Sequence, residues 1–133
     1  MMRFMLDTSI ISDMIRNPGG KAAGVMAREG DAAVCTSIVV ASELRYGCAR
    51  KGSAKLLKKV EELLAEIPVL PLDVPADTEY GALRAELEGR GETIGHNDLF
   101  IAAHACASGS TLVTANMAEF SRIGKLKLEN WLE

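Results

Sequence analysis

The chain has 133 residues, 48% of them hydrophobic and 25% charged, with a net charge of −3 at pH 7. That length holds one real core and reads as a single domain, 1–133, while the negative balance argues against bulk, nonspecific affinity for nucleic acid. No apolar run is long enough to cross a bilayer, and Asp7 interrupts the first apolar stretch, so it does not read as a signal peptide; a cytoplasmic protein is expected.

Short apolar runs alternate with helical patterns along the chain. Arg3–Leu6 (RFML) reads as a strand and Thr8–Arg16 as a helix, ended by Asn17-Pro18-Gly19-Gly20. Lys21–Glu29 is a second helix, stopped by Gly30, and residues 32–37 (AAVCTS) are a second strand. Thr36 or Ser37 can cap the next helix, from Ile38 to about Arg50. Gly52-Ser53 breaks it, and Ala54–Glu66 follows with Leu56, Leu57, Val60, Leu63 and Leu64 on one face. Residues 67–73 (IPVLPLD) are a short strand or extended piece, and Pro75 suits the first turn of a helix that continues to about Arg90. Residues 89–95 form a loop. Residues 97–108 are a very apolar helix with Gly109 as its C-cap. Residues 111–114 (TLVT) are a strand, 117–123 a short helix, and 126–131 (LKLENW) a last strand. Repeated strand–helix–strand units imply right-handed crossovers and an α/β fold, a mostly parallel sheet covered by helices.

Three acids sit where apolar or small residues would be expected. Asp7 ends the first strand, which puts it at the carboxyl edge of the sheet, where open α/β proteins place their chemistry. Its structural alternative is a helix N-cap. Glu43 lies inside SIVVASELRYG, with Val39 and Val40 four and three residues before it and Gly47 four after, so it sits on the apolar side of its helix. A carboxylate there needs pairing, protonation or a cation; a salt bridge to Arg45 or Arg84 is the alternative. Asp98 opens NDLFIAAHA and borders its packed stripe, with capping by Asn97 or Asp98 as the alternative. The three acids have a common explanation if they converge around a hard divalent cation such as Mg²⁺, which prefers oxygen ligands. Near the end of the chain, Thr114 supplies a hydroxyl and Asn116 an amide just after a strand. Glu119 either reaches the same site or is an ordinary exposed acid.

Between Arg45 and Lys59 the chain carries Arg45, Arg50, Lys51, Lys55, Lys58 and Lys59 and no acid. This is either a solvated helix face or a phosphate-contacting rim. Cys35, Cys48 and Cys106 form no CxxC pair and read as inert thiols. There is no GxxxxGK[ST] loop and no HExxH, and GRGETIG does not follow a strand.

With these residues in place, the chain resembles PIN-domain ribonuclease toxins of the VapC type, from type II toxin–antitoxin systems. The likeness runs through FMLDTSIIS, ASELRYGCAR, GETIGHNDLFIAAHA and LVTANMAEFSRIGKLKLENW. It implies a three-layer sandwich with acids at the carboxyl edge of a parallel sheet. It also implies Mg²⁺-dependent (or Mn²⁺-dependent) cleavage of RNA, and inhibition by a VapB antitoxin. A homodimer and a toxin–antitoxin hetero-oligomer are the expected assemblies, and a structured RNA such as tRNA the expected target. Carried over by position, Asp7 and Asp98 match the metal-binding acids, and Glu43 the remaining central acid. Thr8 and Thr114 match hydroxyls that assist water or phosphate placement. Many PIN domains have an Asp near the position of Asn116; Asn here leaves a second metal without that ligand. Arg45, Arg50, Lys51 and Lys55 are the expected RNA contacts. The rival class is a phosphoacceptor signalling domain or a non-catalytic module on the same fold. The first would need an acceptor Asp on a central strand, where Cys35-Thr36 stands instead.

Overall fold

Strand β1 (Arg3–Leu6) is the centre of a sheet whose strand order is β3-β2-β1-β4-β5. The structure is a computed structural model and describes residues 3–30 and 33–133. β1 lies between β2 (Val34–Ser37) and β4 (Ser110–Val113), and β3 (Val69–Leu70) and β5 (Leu128–Glu129) form the edges. All the pairings are parallel. The expectation of a mostly parallel sheet is therefore met by a wholly parallel one among the described residues. β1, β2 and β4 are buried almost throughout, as parallel strands covered on both faces must be.

The strand order fixes where the helices go. After β1 the chain runs outward through α1 (Thr8–Arg16) and α2 (Lys21–Glu29) to β2. From there it passes through α3 (Ile38–Lys51) and α4 (Ala54–Glu66) to β3. It then returns through α5 (Ala76–Gly89) and α6 (His96–Ser108) to β4, and through α7 (Met117–Phe120) to β5. The chain runs one way along the sheet from β1 to β3 and the other way from β3 to β5, and by the right-handed rule for parallel crossovers this divides the helices into two sets. α1, α2, α3 and α4 pack on one another, α5 packs along α6, and α3 also touches α6. The switch of direction falls between β1 and β4, the crevice where ligands of open α/β sheets bind.

Several boundaries differ from the sequence reading, each for a local reason. Ala32, the first residue of the expected second strand, lies outside the described residues. β3 is confined to two residues because Pro68 and Pro71 flank it and have no N–H to donate. Pro75 is the N-cap of α5 rather than part of its first turn. α6 starts at His96 with Gly95 as its N-cap and no side-chain cap, so neither Asn97 nor Asp98 serves as one. α7 ends at Phe120, where tight turns take over through Ile123 N–H to Phe120 C=O at 3.1 Å and Leu126 N–H to Ile123 C=O at 3.2 Å. β5 is shorter than expected because only Leu128 and Glu129 pair with β4. Ser37, not Thr36, caps α3; the Thr36 hydroxyl instead donates to the Leu6 carbonyl at 2.6 Å.

With few aromatic side chains, the core rests on aliphatic ones. Met5, Leu6, Ile10, Ile11, Val40, Ile101, Leu112 and Val113 are fully buried, and Trp131 meets Phe4 edge-on at 5.4 Å. Cys35 and Cys48 are buried and Cys106 half-buried, all three as free thiols. Burial pushes the Cys35 and Cys106 thiols up, away from the reactive thiolate.

His104 is one of several buried polar side chains. Its Nδ1 lies 2.8 Å from the Ser37 hydroxyl, which also accepts from the Val39 amide at 3.0 Å. The ring also bonds the Pro71 carbonyl. A neutral imidazole that accepts at Nδ1 and donates at Nε2 satisfies both partners. Burial lowers its pKa below the usual 6.5, with the Pro71 carbonyl opposing. The unfolded chain therefore binds this proton more readily than the native one, and stability falls as pH drops below 6.5. Thermal melts between pH 7.5 and 5 should show this loss, and His104→Gln should flatten it relative to the native chain.

Candidate active site

Leu6 pairs with Val113 on one side and with Thr36 on the other. The residue after Leu6 therefore emerges at the carboxyl edge, beside Thr114. That residue is Asp7, only 6% exposed. It does cap α1: its Oδ1 accepts from the Ile10 amide at 3.1 Å and from the Ser9 hydroxyl at 2.6 Å. Its own amide donates to Val113 C=O at 3.0 Å, which locks it to β4. Burial raises its pKa, and the Ser9 and Thr114 hydroxyls and the Ile10 and Ser9 amides hold that rise back. The carboxylate is thus a helix cap that also stands at the carboxyl edge of the sheet.

Glu43 is half-buried on α3. Thr8, the first residue of α1, donates to its Oε1 at 2.6 Å, and Asn97 of α6 approaches its Oε2 at 3.4 Å. The alternative of a salt bridge fails, because Arg45 turns to Glu61 at 3.3 Å and Arg84 to Glu88 at 3.0 Å. Glu43 is held by neutral donors from two other helices.

Asp98 lies in the first turn of α6, where the helix dipole favours a carboxylate. Its surroundings override that preference. Burial pushes its pKa up to about 7, and a hydrogen bond to Glu119 and the charges of Glu119, Glu43 and Asp7 add to the rise. Glu119 thus belongs to the site. Burial tends to raise its pKa, but hydrogen bonds from Asp98, Asn116 and Gly95, together with Arg122, bring it below its ordinary value. Asn116 donates to Glu119 at 3.1 Å, and the Gly95 amide at 3.4 Å. Asp98, bonded to Glu119, is therefore only partly ionised at neutral pH. Four acids from four elements meet in one place, and they repel one another.

The structure divides the expected basic contacts. Lys51 lines a groove of about 250 Å³ between α1, α3 and α4 that reaches Thr8 and Glu43. Arg50 and Lys55 are exposed and do not line it. Arg45 is spent on Glu61. Arg16 lines the groove instead. Its place one turn beyond Ser12 and two beyond Thr8 is the spacing that could have marked it. Ile15, Leu44, Leu56 and Val60 make the groove's apolar walls. Ser9 also binds an acid, and Asn97, a capping candidate from the sequence, binds Glu43 instead. For Ser9 the usable signal is a hydroxyl two residues after a helix-capping Asp.

The family model of the PIN domain matches residues 4–126. The chain belongs to the PIN-domain family, in its VapC group. This PIN domain is 38% identical over 134 residues to the tRNA(fMet)-specific endonuclease VapC of Shigella flexneri, covering 98% of this chain and 99% of the relative. It is 37% identical over 132 residues to ribonuclease VapC2 of Rickettsia felis, with 98% of each covered. Among solved structures it superimposes on DNA-bound VapBC from Salmonella typhimurium with a TM-score of 0.90 at 33% identity, covering 98% of this chain and 99% of that one. The expected fold, a central parallel sheet flanked by helices, is thereby confirmed. No described helix of the domain is long and apolar enough to cross a membrane.

The crowding of Asp98 has a measurable consequence. Its native pKa of about 7 lies above the model-compound value of 3.8, so the native state gains stability from the retained proton at low pH and loses it as pH rises through 7. In EDTA, the melting temperature should fall between pH 5 and 8. Asp98→Asn should remove that part of the fall and melt higher than the native chain at pH 8.

Proposed function

We propose that this PIN domain is the toxin of a type II toxin–antitoxin pair, a divalent-metal-dependent endoribonuclease that hydrolyses RNA phosphodiester bonds. The observation that carries this reading is the convergence of Asp7, Glu43, Asp98 and Glu119 at the strand-order switch. The VapC ribonuclease relatives support the same activity.

The donor set fits a hard cation in its chemistry. All four side chains offer carboxylate oxygens; burial first, then the contact with Glu119 and the neighbouring charges, favour a proton on Asp98 that a divalent ion would displace. As they stand, the carboxylates are turned to hydroxyl, amide and carboxyl partners. Among the described residues no group of three acidic, His or Cys side chains is set to hold an ion. Asp7, Glu43 and Asp98 are the residues that would hold Mg²⁺, or Mn²⁺ in its place. When bound, that ion supplies a more acidic water and neutralises charge on the phosphoryl oxygens.

The chain's own groups do the rest. The Thr8 hydroxyl and the Asn97 amide orient Glu43. The fraction of Asp98 that is protonated near neutral pH must lose its proton before it and Glu119 can both face a cation. Thr114 bonds Asp7 and Asn116 donates to Glu119, so both hold acids in place. Arg16 and Lys51 offer charge to the RNA backbone beside the acids. A structured RNA such as tRNA is the proposed target class, a reading supported by the Shigella flexneri relative's specificity.

A VapB-type antitoxin is the proposed inhibitor, in keeping with the VapBC complexes to which the domain is similar. An amphipathic helix suits the apolar walls of the groove, and an Arg from it could reach Glu43. A homodimer, and with the antitoxin a hetero-oligomer, complete the proposed assembly.

Asp7→Asn tests the activity, because Asn caps a helix about as well as Asp. The variant should fold and melt normally. Its RNA cleavage with Mg²⁺ should fall by about a hundredfold or more, since electrostatic stabilisation at the reacting group is usually the largest single contribution. Native activity that survives excess EDTA, or an unimpaired variant, would refute the proposal. For the partner, Leu56→Glu should weaken binding of the neighbouring-gene antitoxin by about tenfold or more, as loss of a central apolar anchor does. Titration calorimetry measures it.

A further inference from the structure

We propose that Ser9 is a positioning residue that ties the Asp7 carboxylate to the loop leading into α7, the helix that bears Glu119. The inference rests on the nuclease reading for its catalytic consequence only. The Ser9 hydroxyl donates to Asp7 Oδ1 at 2.6 Å and accepts from the Ala115 amide at 3.2 Å. An ionised carboxylate only accepts and an amide N–H only donates, so the direction of the hydroxyl proton is fixed. Serine two residues after a capping Asp often bonds locally. The second contact is not local: it spans 106 residues, from the first turn of α1 to the end of β4.

The loop hangs from Asp7 by two hydroxyls in a row. Ser9 takes the Ala115 amide, and Thr114, which also bonds Asp7, takes the Asn116 amide at 2.9 Å. Asn116 in turn donates to Glu119, whose other oxygen meets the Gly95 amide. Two consecutive amides thus read the position of one buried carboxylate and pass it to an acid that contacts Asp98. Thr114 holds its amide from just beyond β4, whereas Ser9 is the link from α1. Without the Ser9 hydroxyl, Asp7 loses one donor, and the loop loses its tether to the helix.

The test compares Ser9→Ala and Ser9→Thr with the native chain. Hydrogen exchange at the Ala115 amide, followed by NMR in metal-free protein, reads the tether directly. It should accelerate by about tenfold in Ser9→Ala, as local opening becomes easier, while Asn116 exchange changes less. With RNA and Mg²⁺, kcat should fall about tenfold to a hundredfold with KM within about twofold, the mark of a misplaced group rather than lost binding. Ser9→Thr keeps a hydroxyl and should restore both readouts, and melting temperatures should stay close throughout. Unchanged Ala115 exchange overturns the proposal, as does native kcat in Ser9→Ala or a loss that Ser9→Thr fails to rescue. If the native chain cleaves no RNA, the nuclease reading fails, and the exchange measurement still decides whether Ser9 holds the loop.

Discussion

A carboxylate that is 6% exposed, set at the end of the central strand, is the constraint on which this architecture turns. An isolated buried charge costs several kcal/mol, roughly, unless donors surround it. Around Asp7 the donors come from the first turn of α1 and from the end of β4. Each of them fixes something beyond the acid. The Ile10 amide starts the helix, and the Asp7 amide itself pins β1 to β4 through Val113. The crevice at the strand-order switch is therefore held open by polar contacts rather than by apolar packing.

The rest of the site shows a division between what is fixed and what is left unbalanced. Thr8, Ser9, Asn97 and Asn116 are neutral donors, each spent on one acid. No described cation makes a salt bridge to Asp7, Glu43, Asp98 or Glu119, since the arginines and Lys125 that do form ion pairs find other acids. Neutral donors orient carboxylates without cancelling their charge. Burial, with these uncancelled charges added to it, drives Asp98 far from ordinary carboxylate behaviour.

Much of this was legible in the sequence. Asp7 betrayed itself by ending an apolar run, Glu43 by sharing a helix face with valines, and Asp98 by bordering an alanine-rich stripe. In each case a charge interrupts a periodic apolar pattern, and such interruptions have few causes. Glu119 carried no such mark, because its helix is one turn long and too short for a periodicity to break. Ser9 and Asn97 were hidden for another reason: serine and asparagine beside helix starts are ordinary, and only tertiary contact shows whom they serve. The basic segment misled because charge along the sequence says nothing of which side chains face the acids. Lys51 shares a groove with Glu43, Arg45 is diverted to Glu61, and Arg16 comes from a different helix. Boundary errors followed prolines and tight turns, where hydrogen-bond partners rather than side-chain pattern decide the end of an element.

The two edge strands, β3 and β5, are only two residues long. A strand from another molecule needs a run of free backbone groups to add itself to a sheet, and these edges offer almost none. The sheet is thereby closed to recruitment through its main chain, a mode of recognition that tolerates many sequences. Whatever docks on this protein must read side chains on helices instead, which makes the choice of partner sensitive to individual substitutions. A lineage holding several such proteins side by side could keep their partners from crossing by changing a few helix residues, with the sheet and its acids left intact.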